Sequence, residues 1–270
     1  MPPQQRRRRI RSRLGRALTL GTATVIVLAG MTACSSPSPI DATEDCTDVG
    51  SQPTSELGSA EILLSSSGYL LYADGWLVVS ADEGPDAAHA MQVPMMAPPD
   101  PAGSRWQPAY LGSCQLEAVD SLAAEELVEG ELGSPMVTDV TSTTVTYYGG
   151  EEPVRSSAYA LGHESSGDGL SRSDKHGREV IKALLAALDE APLTGDVLPV
   201  ETVQVRGEVE EGEPDGWPGP PLAELLDAEG CGELTGEDAR EVYDYLSERT
   251  YDDVGWLRVS VVPPGRTACD

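Results

Sequence analysis

Phenylalanine is absent from this 270-residue sequence, and aromatic residues as a whole make up 5% of it, as 4 Trp and 9 Tyr. Leu, Val, Ile and Ala must therefore build whatever core the chain has. Basic residues are also scarce. Seven of the 18 are arginines within the first 16 positions, and no acid occurs before residue 34. Beyond that point 11 bases face 45 acids, a net charge of −34. Such a balance argues against DNA, RNA and anionic lipid headgroups as partners, because their recognition depends on Lys and Arg. Catalytic signatures are missing too. The nearest approach to a nucleophile elbow, Gly162-His163-Glu164-Ser165-Ser166-Gly167, has the wrong spacing. Only two lysines occur, Lys175 and Lys182, and neither completes a Ser-x-x-Lys motif. No Cys-x-x-Cys, His-Glu-x-x-His, EF-hand or phosphate-binding glycine pattern is present, so no motif calls for a cofactor.

What is present begins at the N-terminus. Arg6, Arg7, Arg8, Arg9, Arg11, Arg13 and Arg16 form a basic stretch, followed by an apolar run from Ala17 to about Ala29. That run suits the central part of a signal peptide and is short for a membrane span of about 20 residues. Met31-Thr32-Ala33-Cys34 follows, and it resembles the bacterial lipobox, in which cleavage leaves a diacylglycerol-bearing cysteine as the first residue. Two acyl chains are what stable membrane attachment requires. The competing expectation is plain secretory cleavage near Ala33. Residues 1–33 are thus expected to be a lipoprotein-type signal. Residues 34–59 are expected to be a flexible tether, since Ser35-Ser36-Pro37-Ser38-Pro39 is small, polar and interrupted by proline. The remaining cysteines, Cys46, Cys114, Cys231 and Cys269, read as two disulfides of an exported protein. Three connectivities are open to them. Cys46–Cys114 and Cys231–Cys269 are favoured, because each then closes within one half of the chain.

Two folded segments are expected, an α+β domain over 60–195 and a smaller α+β module over 196–270. Asp74-Gly75, between the apolar runs Tyr69–Ala73 and Trp76–Ser80, predicts a hairpin in which Ala73 faces Trp76 and Leu71 faces Val78. Residues 83–113 read as loop. A short helix follows from Asp120 to about Gly130, and a second hairpin spans Thr141 to Leu161. Val180, Ile181, Leu184, Leu185 and Leu188 mark a helix over 174–191 with Ser173 as its N-cap. Alternation at Val203, Val205 and Val209 predicts a strand, and the acidic stretch after it reads as a hinge. A short helix over 221–229, a helix opened by Thr235-Gly236-Glu237-Asp238, and a strand from Trp256 to Val262 complete the chain. The fold class is α+β, with a mostly antiparallel sheet from two hairpins plus single strands and helices packed on a face.

The stretch STTVTYYGGEEPVRSSAYALG, the helix up to Leu188, and WPGPPLAELLDAEGCGELTGEDAREVYDYL with LRVSVVPPGRTAC beyond it are similar to a family of secreted actinobacterial lipoproteins of unknown function. The resemblance covers most of residues 60–270. It implies export and the boundaries given above, and it supplies no catalytic residues.

A metal, if bound, would use His163, Glu164 and Asp168 in the Gly-rich loop before the long helix, with Asp174 and His176 nearby. The bland expectation there is a solvated loop, so no metal is expected. Trp106, Trp217 and Trp256 are candidates for a sugar-binding surface, against the expectation that Trp217 simply plugs the gap between the two halves. The leading functional expectation is a lipid-anchored binding or interaction module on the outer face of the cytoplasmic membrane, with an exported or membrane protein as partner. The rival is a cell-envelope hydrolase or metal-binding protein whose acidic site is assembled from distant residues.

Overall fold

Apolar side chains fall on both faces of the first strands, which requires a sheet covered on both sides. The computed structural model, which describes residue 46 and residues 50–81, 101–165, 169–208 and 213–269, has that arrangement. Strand β1 (Ile62–Ser66) turns at Ser67-Gly68 into β2 (Tyr69–Tyr72), and β3 (Trp76–Ser80) follows. The β2–β3 register differs by one residue from the expected one, with Leu71 opposite Leu77 and Leu70 opposite Val78. The turn is the cause. Gly75 N–H donates to Tyr72 O at 3.0 Å with Gly75 at φ 93°, which makes a three-residue loop of Ala73-Asp74-Gly75 instead of a two-residue one.

Strand β4 (Trp106–Tyr110) lies inside the stretch expected to be loop. Its proline is tolerated because β4 is an edge strand. Residues 193–198 cover that edge, where Thr194 N–H donates to Pro108 O at 2.9 Å and Leu198 N–H to Trp106 O at 2.7 Å. Helix α1 (Ser113–Glu126), the two-residue strand β5 (Gly130–Glu131), the hairpin β6 (Ser142–Tyr147) and β7 (Val154–Tyr159), and helix α2 (Arg172–Asp189) complete the larger half. The sheet order is β4-β3-β2-β1-β6-β7-β5, antiparallel except where β5 runs parallel to β7. Helix α2 starts two residues earlier than expected. Ser171, not Ser173, is its N-cap, in a capping box where Asp174 N–H donates to Ser171 Oγ and Ser171 N–H to Asp174 Oδ2.

Helices α1 and α2 bury Val119, Leu122, Ile181, Leu184 and Leu188 against Leu64, Leu71, Leu77 and Val145. The opposite face of β2–β4 buries Leu70, Tyr72, Trp76 and Val78 beneath Leu57, Ala60, Trp106 and Leu198. Residues 50–59, the described end of the stretch expected to be a tether, therefore lie on the body. Trp76 Nε1 donates to Ser55 O at 2.9 Å, and Ser55 Oγ donates to Asp74.

The smaller half is a second sheet in the order β10-β8-β9, from β8 (Thr202–Arg206), β9 (Cys231–Thr235) and β10 (Arg258–Val261). Helices α3 (Leu222–Leu225), α4 (Gly236–Ser247) and α5 (Tyr251–Val254) accompany it. Val203, Val205, Val259 and Val261 face Ala239, Val242 and Leu246 in its core. The two halves share chain. Pro101–Gly103 pairs with β10 before entering β4, Trp106 Nε1 donates to Val261 O at 2.7 Å, and Tyr243 OH donates to Gly103 O at 3.0 Å. The described residues all belong to one compact unit, and none of their helices is long and apolar enough to cross a membrane. Both favoured disulfides are formed, Cys46–Cys114 and Cys231–Cys269.

Candidate functional site

Beside the weak metal candidates His163 and Glu164 stands a residue that no sequence motif marks. Arg178 projects from the sheet-facing side of α2 and is fully buried. Its Nε donates to Glu164 Oε1 at 2.6 Å and its Nη1 to Leu132 O at 3.1 Å. Nη2 donates to Tyr159 O at 2.6 Å and Ala160 O at 2.9 Å. Ala160, itself buried, takes a left-handed φ of 51°, which turns the end of β7 toward the guanidinium. The signal for Arg178 was present in its position, between Gly177 and Val180 on the apolar stripe of the helix.

Both carboxylate oxygens of Glu164 are engaged by cations. Oε1 accepts from Arg178, and Oε2 lies 3.2 Å from Lys182 Nζ. Burial alone pushes the Glu164 carboxyl up. The hydrogen bonds from Arg178, from the backbone N–H groups of Glu164 and Gly162, and from Lys182 outweigh it and hold the pKa near about 2. His163 is exposed beside it, Asp168 lies outside the described residues, and His176 pairs with Glu126 across α1 and α2 at 2.9 Å. Among the described residues no three His, Cys, Asp or Glu side chains are grouped to hold a metal ion. Arg178 ties α2 to the end of β7 and to Glu164.

That contact with Glu164 has a defined pH signature. A folded pKa near about 2, below the ordinary 4.5, stabilises the fold fully above pH 4.5, and the contribution is lost as pH falls toward 2. Urea unfolding of wild type and Glu164→Gln should differ by up to about 3 kcal/mol at neutral pH, with the gap closing between pH 4.5 and 2. A gap that does not change with pH would assign the stabilisation elsewhere.

Two further hydroxyl–carboxylate contacts tie helices to the sheet. Tyr147 OH donates to Asp120 at 2.6 Å, and burial together with that bond pushes its pKa up to about 12. Tyr69 OH donates to Asp189.

A partly apolar cleft lies at the seam of the two halves. It occupies about 290 Å³ between Trp106 of β4, the Leu198–Thr202 approach to β8, and the Val261–Arg266 segment leaving β10. Pro263 and Pro264 stop β10, because proline cannot continue the ladder. The segment after them is fixed from several sides. Tyr72 OH donates to Pro264 O, Arg266 N–H donates to Pro263 O at 3.2 Å, and Ala268 N–H donates to Glu233 Oε2 at 3.2 Å. Gly58 and Gly265 pass so closely that a Cβ on Gly265 would sit 2.5 Å from Gly58 O, and Gly265 is also left-handed at φ 74°. The disulfide to Cys231 ends this C-terminal strap.

Glu201 and Arg266 are the ionisable groups on the cleft's lining, which contains no histidine or cysteine. Glu201 is paired with Arg240 at 2.9 Å. Arg266 has no carboxylate within ion-pair reach among the described residues. An arrangement of this kind can hold an apolar group but offers no nucleophile with a base beside it. A second hollow of about 400 Å³ lies beside the start of α1, with Pro53, Ser55, Asp74 and Leu116 on its walls. Its one carboxylate, Asp74, already accepts from Ser55 and from Trp76 N–H.

The three tryptophans considered for a sugar surface have separate settings. Trp106 lines the cleft. Trp217 packs edge-on to Tyr245 at 5.8 Å and donates to Pro220 O, and Trp256 is 54% exposed. The other exposed large apolar side chains, Val128, Met136 and Leu193, come from different stretches of chain. No protein-family model, no curated protein and no solved structure matches the chain.

Proposed function

We propose that this chain is an exported lipoprotein, held on the outer face of the cytoplasmic membrane by a diacylglycerol on Cys34, and that its body is a binding module with the seam cleft as its ligand site. The observation that carries the reading is the odd cysteine. Four of the five cysteines pair as two disulfides in the body, which fits an oxidising compartment. Cys34 is left over, at the end of an apolar run and ahead of a Ser/Pro stretch. A thioether-linked lipid gives that cysteine a use. The likeness to secreted actinobacterial lipoproteins points the same way.

The anchor and the body are closely coupled on this reading. Cys46, twelve residues beyond Cys34, is bonded to Cys114 at the start of α1. Twelve extended residues reach about 40 Å at most, so the body stays within that distance of the lipid surface. Its cargo or partner is correspondingly one that is available at the membrane.

The test is fractionation of cells expressing wild type and Cys34→Ser. Wild type should sediment with membranes and resist salt extraction, while the variant should appear in the soluble or released fraction. Unchanged membrane retention of Cys34→Ser would overturn the anchor.

A further inference from the structure

We infer that the seam cleft takes an apolar carboxylate, a small acid with a branched-alkyl or aromatic body, free or as the C-terminal residue of a peptide. The inference rests on the cleft being the ligand site and adds the chemistry of what fills it.

Size sets the first limit. A cleft of about 290 Å³ stands at the lower end of small-molecule pockets and suits a ligand with the bulk of one amino acid. The walls set the second. Trp106, Leu198, Val261 and the rings of Pro263 and Pro264 present an apolar surface, which favours a hydrocarbon or aromatic body over a sugar or nucleotide. Trp106 is rigidly placed, since its indole N–H is already spent on Val261 O at 2.7 Å.

Charge sets the third. The chain carries 45 acidic residues against 18 basic ones, and the cation on the cleft's lining is Arg266. Among the described residues no carboxylate lies within ion-pair reach of it. Glu201, the other charge on the lining, is ion-paired with Arg240 at 2.9 Å, which leaves Arg266 as the lining's unpaired charge among the described residues. A guanidinium presents a planar fork that fits a carboxylate through two parallel hydrogen bonds. One such group balances one negative charge, which favours a monocarboxylate over a phosphate dianion. The strap holds Arg266 in place through Pro263 O, Tyr72 and the Gly58–Gly265 approach.

The experiment uses the mature chain with its disulfides intact and matched acid and amide probes. These are 4-phenylbutyrate against 4-phenylbutanamide, and N-acetyl-Ala-Ala-Leu against its C-terminal amide, followed by calorimetry or ligand-observed NMR. At least one acid should bind about tenfold more tightly than its amide. In Arg266→Gln the ratio should fall to about one with the melting temperature unchanged, because that side chain is exposed. Leu198→Ser should weaken acid and amide alike. Tighter binding of the free acid or of the tripeptide identifies the source of the carboxylate. Equal binding of acid and amide to wild type, or an acid preference that survives in Arg266→Gln, overturns the carboxylate inference and leaves the cleft as a binding site. No binding of any probe at millimolar concentration overturns the cleft itself.

Discussion

Replacing Arg178 with alanine should lower the unfolding free energy by about 3–5 kcal/mol, the range for removing one partner of a buried ion pair. The side chain is fully buried and serves Glu164 and the carbonyls of Leu132, Gly133, Tyr159 and Ala160. Truncation strips all of these acceptors at once. It leaves a carboxylate only 16% exposed with Lys182 as its remaining cation, and several carbonyls without donors, each of which costs free energy when buried. It also releases the strained end of β7 at Ala160 and the approach of Leu132 to Gly177, where a Cβ would come within 2.8 Å. Lysine should not rescue the loss, because a point charge with three donors cannot span acceptors on two sides of a planar fork. Removing both charges, as Arg178→Met with Glu164→Leu, should cost clearly less than Arg178→Ala, since no buried carboxylate is then stranded. Urea unfolding at neutral pH measures this directly, with a fall in melting temperature of about 10 °C expected for the alanine variant. A change below about 1 kcal/mol would mean that the cluster is solvated and behaves as a surface ion pair.

The same cluster shows what local pattern can and cannot disclose. Periodicity identified α2 because its stripe, Val180 to Leu188, is a property of neighbouring residues, and all of Val180, Ile181, Leu184 and Leu188 are buried. Alternation identified β8 and β10 for the same reason, and the two hairpins announced themselves by turn residues between β-branched runs. Strands were lost where a neighbour's demand overrode the pattern. β1 carries an irregularity between Ile62 and Leu64 that breaks its alternation, and Leu63 and Leu64 are both buried. β4 contains Pro108, which reads as loop until residues 193–198 are seen to cover its edge. β9 contains Gly232, where a Cβ would sit 2.5 Å from Leu225 O, so packing removed the side chain that would have marked the strand. The cysteine pairs were legible because loop closure within each half is a sequence property. The cleft was not, because it draws on residues 106, 198–202 and 261–266, which meet only when the second sheet docks beside β4. Glu164 was noticed as an acid near histidines, but its partner Arg178 lies on another element, and the pair has meaning only in three dimensions.

Opening the Cys231–Cys269 bond should produce the second large effect, and one that falls on the cleft. The bond closes a segment of 38 residues' separation, for which chain entropy corresponds to about 4 kcal/mol of stability. Cys46–Cys114 spans a separation of 68 and is expected to contribute a similar amount. The two differ in what they hold. Cys46–Cys114 pins the N-terminal segment to α1, twelve residues before Gly58 reaches the strap. Cys231–Cys269 fixes the end of the strap whose Pro263, Pro264 and Arg266 form one wall of the cleft. Without it, the strap depends on Tyr72 OH, on Ala268 N–H to Glu233, and on the close approach of Gly58. Cys231→Ser with Cys269→Ser should therefore lose about 2–4 kcal/mol and should also show faster amide exchange at Arg266 and Ala268 than at Val203 and Val205, together with weaker binding of the acid probes. Cys46→Ser with Cys114→Ser should lose comparable stability while probe binding is retained. Equal loss of binding in both pairs would show that the cleft responds to global stability alone. Undiminished binding without Cys231–Cys269 would show that Tyr72 and Gly58 suffice to hold the wall. A selective loss would place the disulfide among the elements that shape the proposed ligand site, with an oxidising environment as a condition of binding as well as of folding.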